Sequence, residues 1–283
     1  MSRDRGHAVT QTWVDGIAAD AVPADDRGLL YGDGLFETVS CVDGSPRFLE
    51  LHLQRLQSGC LTLDLPPPDL DLVRREIRNA AAAGEGACLV RLTLTRGSSP
   101  TRGYSPPVPC LPRRIVARYP WTGPGPESRE PAIRAGFSAV VAGTSPDLAG
   151  LKHLNRLENV LARARLAGSG LEEAILSTAA GELVGGTMSN LFAVLEGRLV
   201  TPPIISAGVR GVMRQVVLRE AATCGMAAAE RVLRRADLAA ASEIFFTNVR
   251  LGPRPVESLE GWRCETPGPV VHRLGQRIAA LRD

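Results

Sequence analysis

Gly150-Leu151-Lys152-His153-Leu154-Asn155-Arg156-Leu157-Glu158 holds the single lysine of a 283-residue chain with 33 basic residues. All the other basic residues in that count are arginine. A sequence so biased has used guanidinium wherever positive charge or an anion clamp is enough. A lone amine therefore invites a chemical reason, because a desolvated amine loses its proton, attacks carbonyls and relays protons, whereas guanidinium stays charged. The plain alternative is one surface lysine retained by chance. Around it Leu154, Leu157, Leu161 and Ala164 recur at helical spacing, which predicts a helix with Lys152 at its start.

Downstream, Glu173 to Ser177 and Leu191 to Val200 read as strands joined through Gly185-Gly186-Thr187-Met188-Ser189-Asn190. Ala207 to Arg214 opens a helix running to about Cys224. Free backbone N–H groups at such a glycine-led start suit a phosphate, although many such starts hold no ligand. Strand Glu243 to Thr247 leads to Asn248, and a last helix runs from about Pro269 to Leu281. Upstream, Ala132 to Ala142 reads as a strand, and the Pro/Gly-rich stretch around Pro120-Trp121-Thr122-Gly123-Pro124 reads as an extended linker. We set an N-terminal domain at 1–119, a linker at 120–130 and a C-terminal domain at 131–283.

Within the first part, Trp13 to Ala18 and Thr38 to Phe48 have strand character, the latter turning at Asp43-Gly44. Asp25 to Thr38 contains three glycines and reads as irregular backbone or an ordinary loop. Helices follow at Glu50 to Leu63 and from Asp69, an N-cap, through Arg78 to a stop near Gly84. Strands at Ala87 to Thr95 and Arg113 to Tyr119 flank a loop with Arg96, Arg102 and Tyr104. Two arginines and a tyrosine there suit carboxylate binding, and equally suit solvated surface.

Composition narrows the function. At 44% hydrophobic the chain buries one large core or two ordinary ones. Its net charge of +3 is small and dispersed, so nucleic acid is not indicated. Six scattered cysteines lack a C-x-x-C pair or metal-ligand spacing, which suggests a reduced, cytoplasmic protein with no metal. No apolar run is long enough for a membrane span, and the N-terminus lacks the apolar core of a signal. His52 and His153 read as structural, the tryptophans as packing groups, and the cysteines as small buried apolar side chains.

A lone amine, a helix arginine, a glycine-led helix start and an arginine-rich loop suit an imine-forming, phosphate-bearing cofactor beside an anionic substrate. Several motifs in order add a resemblance. They are Tyr31-Gly32-Asp33-Gly34-Leu35-Phe36-Glu37-Thr38, His52-Leu53-Gln54-Arg55-Leu56, Arg96-Gly97 with Arg102-Gly103-Tyr104, the Lys152 segment, Ser189-Asn190-Leu191-Phe192, Gly208 to Arg214 and Thr247-Asn248. In these the chain resembles the fold type IV pyridoxal-phosphate enzymes, a family of aminotransferases and 4-amino-4-deoxychorismate lyases, with the lyase pattern the nearer. The resemblance implies an α/β (α+β) two-domain architecture, with a smaller N-terminal α/β domain, a larger C-terminal one, the cofactor in the cleft between them and a homodimer. It makes Lys152 the cofactor-binding and catalytic amine. Arg55, Gly211, Val212, Met213 and Asn248 would hold pyridoxal 5'-phosphate, and Tyr31, Arg96, Arg102 and Tyr104 would face a small anionic substrate, a chorismate-derived amine. Release of pyruvate would then give 4-aminobenzoate for folate synthesis.

One position departs from the family pattern. The glutamate that pairs with the cofactor ring nitrogen, five residues before the asparagine of the Ser-Asn motif, is Gly185 here. A carboxylate there keeps the ring protonated and able to accept electrons, and glycine cannot. Glu182 lies three residues earlier and is expected to point elsewhere. The loss weighs most against an aminotransferase acting on a small amino acid, the second reading. A relative that keeps the fold without the cofactor chemistry is the third.

Overall fold

The computed structural model describes residues 11–121, 131–265 and 267–281. The expected linker at 120–130 falls outside them except for Pro120 and Trp121, and Pro120 ends a strand. Two compact units result. The first combines the described residues up to 121 with Lys152–Asn155, and the second takes the rest.

The first unit runs β1 (Gln11–Val14), β2 (Ile17–Ala18), α1 (Arg27–Tyr31), β3 (Gly34–Val42), β4 (Ser45–Pro46), α2 (Leu49–Thr62), α3 (Leu70–Ala82), β5 (Cys88–Thr95) and β6 (Arg113–Pro120). Its strands form an antiparallel sheet in the order β2-β1-β6-β5-β3-β4. Alternation sets the two faces. Leu35, Val39 and Cys41 on β3 and Val90, Leu92 and Leu94 on β5 are buried on the side of α2 and α3, where Leu53, Leu56, Val73 and Ile77 are buried too. Phe36, Thr38, Arg91 and Thr93 project from the other face and are half-buried.

Three local readings are corrected. Trp13 to Ala18 is a hairpin, not one strand, because Asp15 and Gly16 both take left-handed backbone. The glycine-rich stretch opens with a short helix, α1, which Asp26 caps by accepting from the Gly28 N–H and which Gly32 ends at φ 65°. Lys152 begins no helix. Phe36 N–H donates to its carbonyl at 2.9 Å, and Leu154 N–H donates to Gly34 O at 3.1 Å, so 152–154 extends beside β3. That pairing puts Lys152–Asn155 in the first unit, whereas the sequence reading put Lys152 in the C-terminal domain.

The second unit runs β7 (Ile133–Val141), α4 (Leu157–Ala164), β8 (Glu173–Ser177), β9 (Leu183–Gly186), β10 (Asn190–Leu195), β11 (Arg198–Thr201), α5 (Val212–Thr223), β12 (Ala228–Glu230), α6 (Arg235–Ala239), β13 (Glu243–Asn248), β14 (Gly252–Leu259), β15 (Trp262–Arg263) and α7 (Pro269–Ala280). The sheet order is β12-β11-β10-β13-β14-β7-β8-β9, with β15 on β14. The sheet curls. Leu183 and Ile175 from one end share a core with Leu191, Ala193 and Val200 from the other, closed by Leu233 and Leu238. Phe192 and Phe245 alternate to the opposite face, stacked at 5.0 Å, on the side where α5 packs against β13. Leu191 to Val200 is likewise a hairpin, because Glu196 and Gly197 take positive φ. No described helix is long and apolar enough to cross a membrane.

Candidate active site

In the first unit the residues gather along β3. The half-buried Lys152 lies with its amine 4.2 Å from the Phe36 ring centroid, and the Arg91 guanidinium lies 4.1 Å from the same centroid. Asn155 secures the segment by donating to Gly32 O at 3.1 Å. The next inward residue on β3, Glu37, is buried and organises α2. Arg55 Nε donates to its Oε1 at 2.8 Å, Arg55 Nη2 to its Oε2 at 2.5 Å, and His52 Nδ1 lies 2.6 Å from Oε2. Burial raises the Glu37 pKa, but the Arg55 charge and the hydrogen bonds from Arg55 and His52 outweigh it and hold the carboxyl at about 2. Burial also pushes the His52 ring below its usual value, against the pull of Glu37, with Arg55 and Lys152 adding to the push. His52 is therefore a neutral structural group at pH 7, as its sequence context implied.

The arginine loop divides. Arg96 is buried, with Nε on Asp33 at 2.8 Å, Nη1 on Asp64 O at 2.9 Å and Nη2 on Leu63 O at 2.7 Å, so it ties the loop to the end of α2. Each nitrogen of its fork meets a protein oxygen. Arg102 and Tyr104 are exposed, and Tyr104 packs edge-on to Tyr31 at 5.6 Å. Sequence reasoning missed Arg27. It is buried, pairs with Asp33 at 2.9 Å and donates to Gly103 O and Tyr104 O at 3.0 and 2.8 Å, which fixes the loop. The signal was the Asp26 cap directly before it, hidden by the glycines around it.

The second unit holds the residues expected to cradle a phosphate. α5 starts at Val212 with Gly211 in extended conformation and no side-chain cap. A Cβ on Gly211 would meet Asn190 Oδ1 at 2.0 Å, while Asn190 Nδ2 donates to Val209 O at 2.9 Å. Thr247 pairs with Asn190 across β13 and β10, on the α5 face, and its buried hydroxyl has no partner among the described residues. Sequence reasoning passed over Thr247 for its neighbour Asn248. The Asn248 oxygen instead accepts from the N–H groups of Arg250 and Leu251 at 3.0 and 2.9 Å and shapes the turn after β13.

Neither Glu182 nor Glu173 stands in for Gly185. Glu182 turns to Arg234 at 3.9 Å. Glu173, buried on β8, accepts from Thr187 N–H, Thr187 Oγ1 and Ser189 Oγ at 2.8, 2.5 and 2.8 Å. It lies against Gly186, whose side-chain position faces opposite to that of Gly185. Glu173 thus holds the loop from beneath.

The chain is similar to several known proteins. The family described as amino-transferase class IV matches residues 34–259. An aminodeoxychorismate lyase from Vibrio harveyi is 31% identical over 87% of this chain and 90% of its own. The crystal structure of 4-amino-4-deoxychorismate lyase from Pseudomonas aeruginosa superposes with a TM-score of 0.86 at 39% identity, covering 94% of this chain and 97% of that one. A hypothetical aminotransferase from Mycobacterium tuberculosis in a PLP-bound form has a TM-score of 0.81 at 25% identity, covering 95% and 98%.

Proposed function

Because the chain belongs to the class IV aminotransferase family, we propose that it is a pyridoxal-phosphate-dependent lyase releasing 4-aminobenzoate and pyruvate from 4-amino-4-deoxychorismate. The observation that carries this reading is similarity over nearly the whole chain to two lyases of that name. Pyridoxal phosphate, when bound, supplies a carbonyl carbon that captures the substrate amine and a ring that accepts electrons as the adjacent C–H bond breaks. The chain fits that group through the N–H groups of Val212 and Met213 at an uncapped helix start and the unpartnered hydroxyl of Thr247. Arg55, oriented by Glu37, adds a fixed positive charge.

Lys152 does the proton work. Its amine takes the proton from the amine-bearing carbon and then protonates the departing enolpyruvyl group. The Phe36 ring that its amine shares with Arg91 gives the ammonium form a cation–π contact and limits where it moves. Arg102 meets the substrate carboxylates, since Arg96 is engaged elsewhere, and Tyr31 and Tyr104 flank it. Gly185 favours elimination over transamination. Formation of an aromatic product drives the elimination, whereas amino transfer relies on the ring that an acid at 185 would have kept protonated.

The test is a visible spectrum of protein supplied with pyridoxal phosphate, with and without borohydride, beside Lys152→Ala and a pyruvate assay. An imine band that borohydride removes, absent from the variant, with pyruvate and 4-aminobenzoate formed in equal amounts, is the expected result. Conversion of the cofactor to its amine form by single amino acids, without pyruvate release, would replace this reading with an aminotransferase. A homodimer in the cytoplasm that feeds folate synthesis completes the proposal. What supports the dimer is the apolar surface of α4, where Leu157, Val160 and Leu161 are 70%, 59% and 46% exposed.

A further inference from the structure

Cys41 and Cys88 face each other across β3 and β5, far along the strand from Lys152, and no step of the reaction uses them. Their pairing follows from the hydrogen bonds of β3. Phe36 N–H donates outward to Lys152 O and Ser40 O accepts outward from Arg47 N–H, so the even-numbered residues bond away from β5 and Cys41 bonds toward it. Cys41 and Cys88 are thus a hydrogen-bonded pair, with Cα atoms about 5.5 Å apart in such ladders. Disulfides span roughly 4.4–6.8 Å between Cα atoms. Both side chains lie on the helix-covered face, 1% exposed, where the Cys41 thiol donates to Val39 O at 3.7 Å and the Cys88 thiol to Ala81 O at 3.9 Å. We propose that Cys41 and Cys88 form a reversible cross-strand disulfide, with Cys88 the attacking thiol and Cys41 the resolving one.

Three features assign those roles. The neighbouring Cys41 thiol and the Arg118 charge draw the Cys88 thiol down against its burial, while Cys88 and burial push Cys41 up against the pull of Arg118. Arg118 is itself buried and donates to Glu85 O at 3.0 Å, beneath the exposed turn that joins α3 to β5. That turn contains Gly84 and Gly86, and Cys88 Sγ rests 3.9 Å from Ala81 O under the last residues of α3. Fraying of one helix end admits a small oxidant to an otherwise closed pair.

The balance uses a peroxide. Cys88 thiolate attacks one peroxide oxygen, breaking the O–O bond and leaving a sulfenic acid and hydroxide. Cys41 sulfur then displaces the sulfenic hydroxyl, which leaves as water. Two thiols lose two electrons and two protons in all, and hydrogen peroxide becomes two waters. Cβ atoms of a hydrogen-bonded pair sit farther apart than the optimum for a disulfide, so the bond is strained and readily reduced by a dithiol.

The experiment treats the folded full-length chain with stoichiometric hydrogen peroxide, blocks free thiols, and maps peptides by mass without reductant. The expected result is a Cys41–Cys88 linked peptide, 2 mass units below the sum of its parts and lost on adding dithiothreitol. Cys41→Ala, checked as folded by circular dichroism, traps the sulfenic acid on Cys88 for labelling by dimedone, and Cys88→Ala yields neither product. Failure to link, linkage of either residue chiefly to Cys60, or dimedone labelling of Cys41 in Cys88→Ala at the rate seen for Cys88 would overturn the proposal. None of these outcomes depends on the lyase assignment.

Discussion

Glu37 is buried against two polar or cationic neighbours on α2, so its ionisation contributes to folding. A carboxyl held at about 2 in the folded chain, against an ordinary value of 4.5, contributes stability that is complete above pH 5 and lost as pH falls toward 2. Glu37→Gln removes that dependence and leaves the Arg55 charge buried without its carboxylate, at a cost of about 3–5 kcal/mol. Urea unfolding at pH 7 and pH 4 measures both: the variant is less stable at pH 7, and the gap between the two proteins narrows at pH 4. Thr247 behaves in the opposite sense. Its unpartnered hydroxyl makes Thr247→Val neutral or stabilising in the cofactor-free protein, by up to about 1–3 kcal/mol, while affinity for pyridoxal phosphate falls. A thermal melt and a cofactor titration of the same sample separate the two effects, and a variant that loses stability without losing affinity would remove Thr247 from the cradle.

The start of α5 is the element on which cofactor binding rests. Gly211→Ala drives a methyl into Asn190 Oδ1, so either Asn190 releases Val209 or the helix start moves. We expect cofactor affinity to drop at least tenfold with helix content unchanged by circular dichroism; unchanged affinity would mean that the cradle lies elsewhere. At this scale much was legible in the sequence. α2, α3, β5, β6 and β8 follow from apolar periodicity, and Asp69 caps α3 as its chemistry dictates, accepting from Asp71 and Leu72 N–H. Besides α1 and the Lys152 segment, the failures were turns. Asp15-Gly16 and Glu196-Gly197 reverse the chain in two residues, and apolar residues continuing on both sides hid them.

For the molecule as a whole, the apolar residues of α4 make association the testable property. Replacing Leu157 and Leu161 with Glu turns a dimer into a monomer by light scattering while leaving the monomer folded; an unchanged mass would locate any interface elsewhere. The sequence by itself determined α2, α3, β5, β6 and β8, the one amine able to do imine chemistry, the glycine-led helix start and the absence of an acid at 185, because each depends on residue type and near neighbours. Tertiary structure alone decided the partners. Arg55 meets Glu37 from 18 residues away and Arg96 meets Asp33 from 63, and the Lys152 segment pairs alongside β3 instead of starting a helix. Local periodicity carries no record of which distant backbone or carboxylate will satisfy a buried group. Burial makes that pairing obligatory, and only the closed fold brings the partner within reach.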